Sequence, residues 1–140
     1  MNKENTKVLV VDDDVNVTKS FTRIFQKKGY ETDNATTGEE AILKAKAKFY
    51  DVTLIDIRLP DMEGTELLTK LNDNSSSMIK IMVTGYPNMQ NASDSLRLGA
   101  DAYLIKPVKP EKLRRIIDER LKARAQSGIR QATEKAPVLV

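Results

Sequence analysis

The chain has 140 residues, 23 Lys+Arg against 20 Asp+Glu, a formal net charge of +3, and no His, Cys or Trp. That length suits a single domain with a real hydrophobic core. Without Cys there is no disulfide framework, zinc–thiolate site or thiol nucleophile, and without His there is no Ser-His-Asp triad and no imidazole base or ligand, so any chemistry must run on carboxylates, Lys, Ser/Thr or a hard metal ion.

The charge is uneven. Up to Ile105 the chain carries 13 basic and 16 acidic residues, and from Lys106 onward 10 basic and 4 acidic. The basic stretch has no aromatic residues interleaved, so it reads as a solvated helix face and tail, and no direct nucleic acid binding is expected. The first seven residues are polar and lack the apolar centre of a signal peptide. No apolar run approaches the roughly 20 residues of a membrane span, and the expectation is a soluble, cytoplasmic protein with no membrane contact.

Val8-Leu9-Val10-Val11 is a continuous β-branched and aliphatic run, as in a strand buried on both faces. From Asp14 to Lys28 the pattern turns helical, with Val17, Phe21, Ile24 and Phe25 on one stripe and Gly29 placed to end it. Tyr30 to Ala35 predicts a weak second strand. Thr37 then caps a helix with Ala41, Ile42, Ala45 and Phe49 inward. Val52 to Ile55 predicts a third strand ending at Asp56, followed by a loop from Pro60 to Gly64. Leu67, Leu68 and Leu71 mark a short helix that stops in a turn over residues 72–77. Ile79 to Val83 is a fourth strand ending at Thr84, and a weakly amphipathic helix runs from about Met89 to Leu98, with Gly99 as its stop. Ala102 to Ile105 is a fifth strand. Pro110 opens a last helix carrying Leu113, Ile116, Ile117 and Leu121. Past about Ala125 the periodicity is lost, which predicts flexible segments at 1–6 and 125–140 flanking a domain at 7–124.

Five strands alternating with five helices argue an α/β fold, a doubly wound (βα)5 with a mostly parallel sheet. In such sheets ligands bind beyond the carboxyl ends of the strands. The first strand ends in Asp12-Asp13-Asp14, the third in Asp56, the fourth in Thr84 and the fifth in Lys106. Asp14 is best placed as the cap of the first helix. Asp12 and Asp13 form an adjacent carboxylate pair whose burial calls for a cation, and hard oxygen donors without His or Cys point to Mg²⁺. A carboxylate can attack phosphorus and become an aspartyl phosphate, with Mg²⁺, an ammonium and a hydroxyl neutralising and positioning the phosphoryl oxygens. No general base is needed, so the missing His does no harm.

The pieces Val8-Leu9-Val10-Val11-Asp12-Asp13-Asp14, Leu54-Ile55-Asp56-Ile57-Arg58-Leu59-Pro60-Asp61-Met62-Glu63-Gly64, Val83-Thr84-Gly85 and Tyr103-Leu104-Ile105-Lys106-Pro107 together resemble the receiver domain of two-component response regulators over about Lys7 to Arg124. The resemblance implies a flavodoxin-like five-stranded parallel sheet of order 2-1-3-4-5. It implies Asp56 as phosphoacceptor and Asp12, Asp13, Asp56 and the Arg58 backbone carbonyl as Mg²⁺ ligands. Thr84 and Lys106 would contact the phosphoryl group, and Tyr103 would be the aromatic switch. The implied donor is the phosphohistidine of a sensor histidine kinase or histidine phosphotransfer protein. The implied output is a shifted surface at the fourth helix, fifth strand and fifth helix, where a downstream protein target or a second copy in a homodimer would bind. Arg58 and Tyr86, two residues beyond Asp56 and Thr84, would by the same resemblance flank the water's approach and set the lifetime of the signal. Such a domain is a signalling phosphoacceptor, not a turnover enzyme.

Two other readings are weighed against this one. Haloacid-dehalogenase-type phosphatases also use an Asp nucleophile with Mg²⁺, but their Asp-x-Asp-x-Thr/Val motif fails here at Asn16. A receiver scaffold serving only as an interaction module would not keep every site residue. The chain is either a stand-alone receiver or a piece of a longer regulator.

Overall fold

The computed structural model describes residues 6–72, 77–130 and 138–139. Its elements follow in the order β1 (Lys7–Val11), α1 (Val15–Lys27), β2 (Glu31–Ala35), α2 (Gly38–Ala47), β3 (Val52–Asp56), α3 (Gly64–Asn72), β4 (Ile79–Thr84), α4 (Met89–Arg97), β5 (Ala102–Ile105), α5 (Pro110–Arg130) and β6 (Val138–Leu139). The sheet is parallel throughout, in the order β2-β1-β3-β4-β5-β6. Its first five strands form the expected 2-1-3-4-5 doubly wound arrangement.

The aliphatic runs supply two cores because successive side chains leave a strand on opposite faces. Val8, Val10, Leu54, Ile81, Val83 and Leu104 meet Phe21 and Phe25 of α1 and Leu113, Ile116, Ile117 and Leu121 of α5. On the other face Leu9, Val11, Ile55, Met82 and Tyr103 meet Ala41 and Ile42 of α2 and Leu67, Leu68 and Leu71 of α3. Helix α4 is different: Ser95 is its one buried residue, and only Ala92, with Leu98 just past its end, packs partly on the core.

The predicted caps are in place. Asp14 Oδ1 accepts the Asn16 N–H at 2.9 Å, and Thr37 Oγ1 accepts that of Glu40 at 3.0 Å. Gly29 and Gly99 end α1 and α4 with φ of +83° and +102°, a region an L side chain rarely enters.

Four differences from the sequence pattern stand out. Phe49 is not an inward helical residue: α2 ends at Ala47, Lys48 is extended, and Phe49 is 48% exposed while Tyr50 takes the buried place. Thr6, within the segment expected to be flexible, is buried, and its carbonyl accepts the Glu31 N–H at 2.9 Å. Helix α5 runs on to Arg130, because losing an apolar stripe removes packing rather than helical propensity, and Ala, Gln and Arg are good helix formers. Finally, residues 138–139 add a sixth strand, with Ala102 level with Val138 and Tyr103 with Leu139. The rest of the two segments expected to be flexible, and residues 73–76 of the turn after α3, lie outside the described residues.

Candidate functional site

Strand register assembles the site. Val11 is level with Ile55, so Asp12 and Asp56 leave the sheet side by side. Asp56 is level with Val83 and Thr84 with Ile105, which sets Thr84 and then Lys106 on the next rungs along the same rim. Lys106 is joined to Pro107 by a cis peptide bond.

Asp12 is almost fully buried. Its Oδ1 accepts the Asp14 N–H at 2.9 Å and its Oδ2 accepts from Lys106 Nζ at 2.7 Å. The same ammonium lies 3.7 Å from Asp56 Oδ2. Burial alone would favour a neutral Lys106, but the hydrogen bond and charge of Asp12, and then the charge of Asp56, outweigh it and hold the ammonium above the ordinary lysine value. Asp56 moves the other way for a carboxylate. Burial first, and then the negative charge of Asp12, raise it above the usual aspartate value, against the pull of Lys106 and a long 3.4 Å hydrogen bond from the Arg58 N–H.

Asp12, Asp13 and Asp56 each offer a carboxylate oxygen, and these oxygens lie within 4.8 Å of one another. The set runs from buried Asp12 to exposed Asp13. All-oxygen donors with one side open to water fit a hard divalent cation that keeps part of its hydration shell.

Beyond Asp56 the chain folds back on itself. Arg58 pairs with Glu63 in an antiparallel bridge, the Leu59 N–H reaches the Met62 carbonyl at 3.1 Å, and the Gly64 N–H reaches that of Ile57 at 2.5 Å. A Cβ on Gly64 would overlap the Asp56 carbonyl oxygen and lie 2.9 Å from Ile57 Cα. Only glycine lets α3 start this close to the Asp56 backbone. Asp61 accepts the N–H groups of Gly38 at 2.8 Å and Glu39 at 2.9 Å, pinning this loop to the start of α2, and those bonds hold its carboxyl below the usual value. Sequence reasoning marked Gly64 only as a turn residue and gave Asp61 no role. A Gly opening a helix just after a strand-terminal Asp was the available signal for the first; for the second there was none.

Thr84 is fully buried, and its Oγ1 accepts the Tyr86 N–H at 2.9 Å. Gly85 beside it is not required by space: a Cβ would make an ordinary 3.9 Å contact with the Lys106 stem. The Arg58 guanidinium lies over the Tyr86 ring, 4.5 Å from its centroid, so the two side chains expected to flank the acceptor meet each other. Tyr103 is buried, its hydroxyl bonded to Asn91 Oδ1 on α4.

Residues 8–118 match the family model of the response regulator receiver domain. Among curated proteins the chain is 33% identical over 121 residues to the transcriptional regulatory protein ZraR of Klebsiella oxytoca, covering 86% of this chain and 27% of that one. It is 32% identical over 119 residues to the alkaline phosphatase synthesis transcriptional regulatory protein PhoP of Bacillus subtilis, covering 85% and 48%. The chain thus spans about a quarter to a half of the length of such relatives. A CheY-like receiver domain protein from Methanospirillum hungatei superposes with a TM-score of 0.85 at 43% identity, over 87% of this chain and 98% of that one. The beryllofluoride-activated NtrC4 receiver domain dimer gives 0.80 at 31%, over 84% and 98%. Fold, rim chemistry and sequence agree, and the chain belongs to the response regulator receiver domain family, the phosphorylation-controlled switches of two-component signalling.

Proposed function

We propose that Asp56 is the phosphoacceptor of this receiver and that its donor is a phosphohistidine on a sensor kinase or phosphotransfer protein. The observation that carries this is the convergence of Asp12, Asp13, Asp56 and Lys106 at the ends of three parallel strands, with the ammonium between two carboxylates. An Asp56 oxygen attacks phosphorus, the P–N bond breaks, and its electron pair goes to the imidazole nitrogen while the other ring nitrogen carries a proton taken from solvent, leaving an aspartyl phosphate and a neutral histidine. Lys106 pairs with a phosphoryl oxygen and the Thr84 hydroxyl turns to another. Asp12, Asp13, Asp56 and the Arg58 carbonyl would hold Mg²⁺, which when bound supplies charge against the phosphoryl oxygens. The donor approaches over an apolar groove of Val17, Phe21, Ile24, Pro107 and Val108 that opens beside Lys106. Such a partner works in the cytoplasm; among the described residues no helix is long and apolar enough to cross a membrane.

Output runs from Thr84 to Tyr103 and on to the surface of α4, β5 and α5. The Tyr103 ring is already inside here, so phosphorylation acts by shifting an existing balance, not by creating a new position. A downstream protein or a second copy docking on this face meets β6 as well, since residues 138–139 line the β5 edge. The 7–124 unit is proposed as the working receiver, with Thr6 included.

Incubating the protein with Mg²⁺ and acetyl phosphate should add one phosphoryl group. Undiminished labelling of Asp56→Asn would refute the assignment.

A further inference from the structure

Asn91 sits one turn inside α4, and both ends of its side-chain amide are engaged. Its Oδ1 accepts from the Tyr103 hydroxyl and from the Asn88 N–H at 3.4 Å, while its Nδ2 donates to the Tyr86 carbonyl at 3.2 Å. Tyr86 is in turn tied to Thr84 through its N–H and to Arg58 through its ring. These bonds form one chain of contacts from Tyr103, through α4, to the stacked Tyr86 and Arg58, the pair expected to shield Asp56. Apart from the reciprocal capping bonds between Asn88 and Asn91, little holds the start of this helix, because a single serine is its only buried residue. An apolar anchor would be indifferent to small shifts, whereas an amide with fixed donor and acceptor directions transmits them.

We propose that Asn91 is a positioning residue that couples the place of Tyr103 to the Tyr86–Arg58 cover, so that the signalling face and the lifetime of the phosphoryl group are set together. This rests on the reading of Asp56 as phosphoacceptor. A partner that draws α4 away breaks the amide's bonds, loosens Tyr86 and admits water to the aspartyl phosphate. A partner that clamps Tyr103 inward does the reverse.

The test follows decay after the full chain has been phosphorylated with acetyl phosphate and Mg²⁺ and the donor removed. Asn91→Ala should speed decay about fivefold, as expected for losing a hydrogen bond of ordinary net strength. Tyr86→Ala should do the same, and the double variant should decay no faster than Tyr86→Ala alone, because both act through one cover. Asn91→Asp keeps the acceptor for Tyr103 and Asn88 but loses the donor to Tyr86, so it too should decay faster. Gln90→Ala removes a surface bond to Asp94 on the same helix without touching this chain of contacts and should leave decay unchanged. As a readout independent of turnover, the Tyr86 amide NMR shift should move in Tyr103→Phe and cease to respond to that change in the Asn91→Ala background. Additive effects of Asn91→Ala and Tyr86→Ala, parental decay in Asn91→Asp, or equal acceleration by Gln90→Ala would each overturn the coupling. A parent that takes no phosphate at all would overturn the reading of Asp56 instead.

Discussion

Replacing Asp56 by Asn should make the metal-free protein more stable, because the acceptor is held in a place that disfavours its charge. At an effective dielectric constant of about 20, the Asp12 carboxylate at up to 4.8 Å costs Asp56 about 3.5 kcal/mol, and Lys106 at 3.7 Å returns about 4.5 kcal/mol. Exposed Asp13 is screened almost as in water and adds only about 1 kcal/mol of repulsion. The Coulomb contributions nearly cancel, and burial of a side chain only 12% exposed decides the sign. That is why its carboxyl titrates above the ordinary value. Asn is close in shape to the neutral acid, so Asp56→Asn should raise Tm by about 4 °C, which corresponds to about 1 kcal/mol, an ordinary single-site effect in a domain of this size. The sign with pH follows. Below the unfolded value near 3.8 the wild-type carboxyl is protonated in both states and the two proteins should be equally stable. As pH rises through the raised folded value the wild type falls behind, and the gap should be full at neutral pH. Urea unfolding of both proteins with chelator, at pH 4 and pH 7, measures this. Adding Mg²⁺ should close the gap by stabilising the wild type by mass action. A variant less stable than wild type at pH 7 without metal, or a gap that does not shrink at pH 4, would refute the argument.

Arg58→Ala/Tyr86→Ala should lose phosphate about tenfold faster than the parent, equivalent to about 1.4 kcal/mol of barrier, when decay is followed with Mg²⁺ present. Gly64→Ala should lower stability by about 2 kcal/mol and also slow acetyl phosphate labelling, since its methyl group meets the Asp56 backbone; Gly85→Ala, with ordinary clearance, should do neither. Tyr30, buried beside Asp118, is pushed up to about 12, by burial first and then by that carboxylate, so it favours the folded state below pH 10 and loses that contribution as pH rises through 12. Tyr30→Phe should therefore unfold less steeply between pH 10 and 12, by about 3 kcal/mol in urea titrations, than wild type.

The sequence was most legible where one residue's place depends on its near neighbours. Val8 to Val11 announces a buried strand by its own composition, and Leu67, Leu68 and Leu71 announce a helix face by their spacing. Asp12, Asp56, Thr84 and Lys106 were found because each follows the end of such a run, and a parallel sheet brings strand ends to one rim. The sequence was least legible where the partner is remote. Asp61 looks like any loop carboxylate until it meets Gly38, 23 positions away. Asn91 looks like a capping residue until Tyr103 is folded against it. Phe49 and Tyr50 exchange places because the end of α2 is set by the extended conformation at Lys48, which no apolar period reports. The strand at 138–139 has only two rungs, too few for an alternation to be read.

The division of labour between α3 and α4 follows from how each is held. Helix α3 buries Leu67, Leu68 and Leu71 completely, and each such side chain contributes about 1.5–3 kcal/mol. Its first residue is wedged against the Asp56 backbone, so the acceptor rests on an element that several kcal/mol would be needed to move. Helix α4 buries one serine and hangs on directional bonds, Asn91 at its start and Asn72 Nδ2 on the Leu98 carbonyl at 2.7 Å past its end. Each such bond is worth about 1 kcal/mol net. On the proposed reading, a phosphoryl group on Asp56 gaining a charge-assisted contact with Thr84 and Lys106 would bring only a few kcal/mol. That is enough to rearrange α4 and not enough to disturb α3. On that reading the site is stiff at α3, where phosphorus would be met in a fixed geometry, and soft at α4, where the result would be passed to a partner.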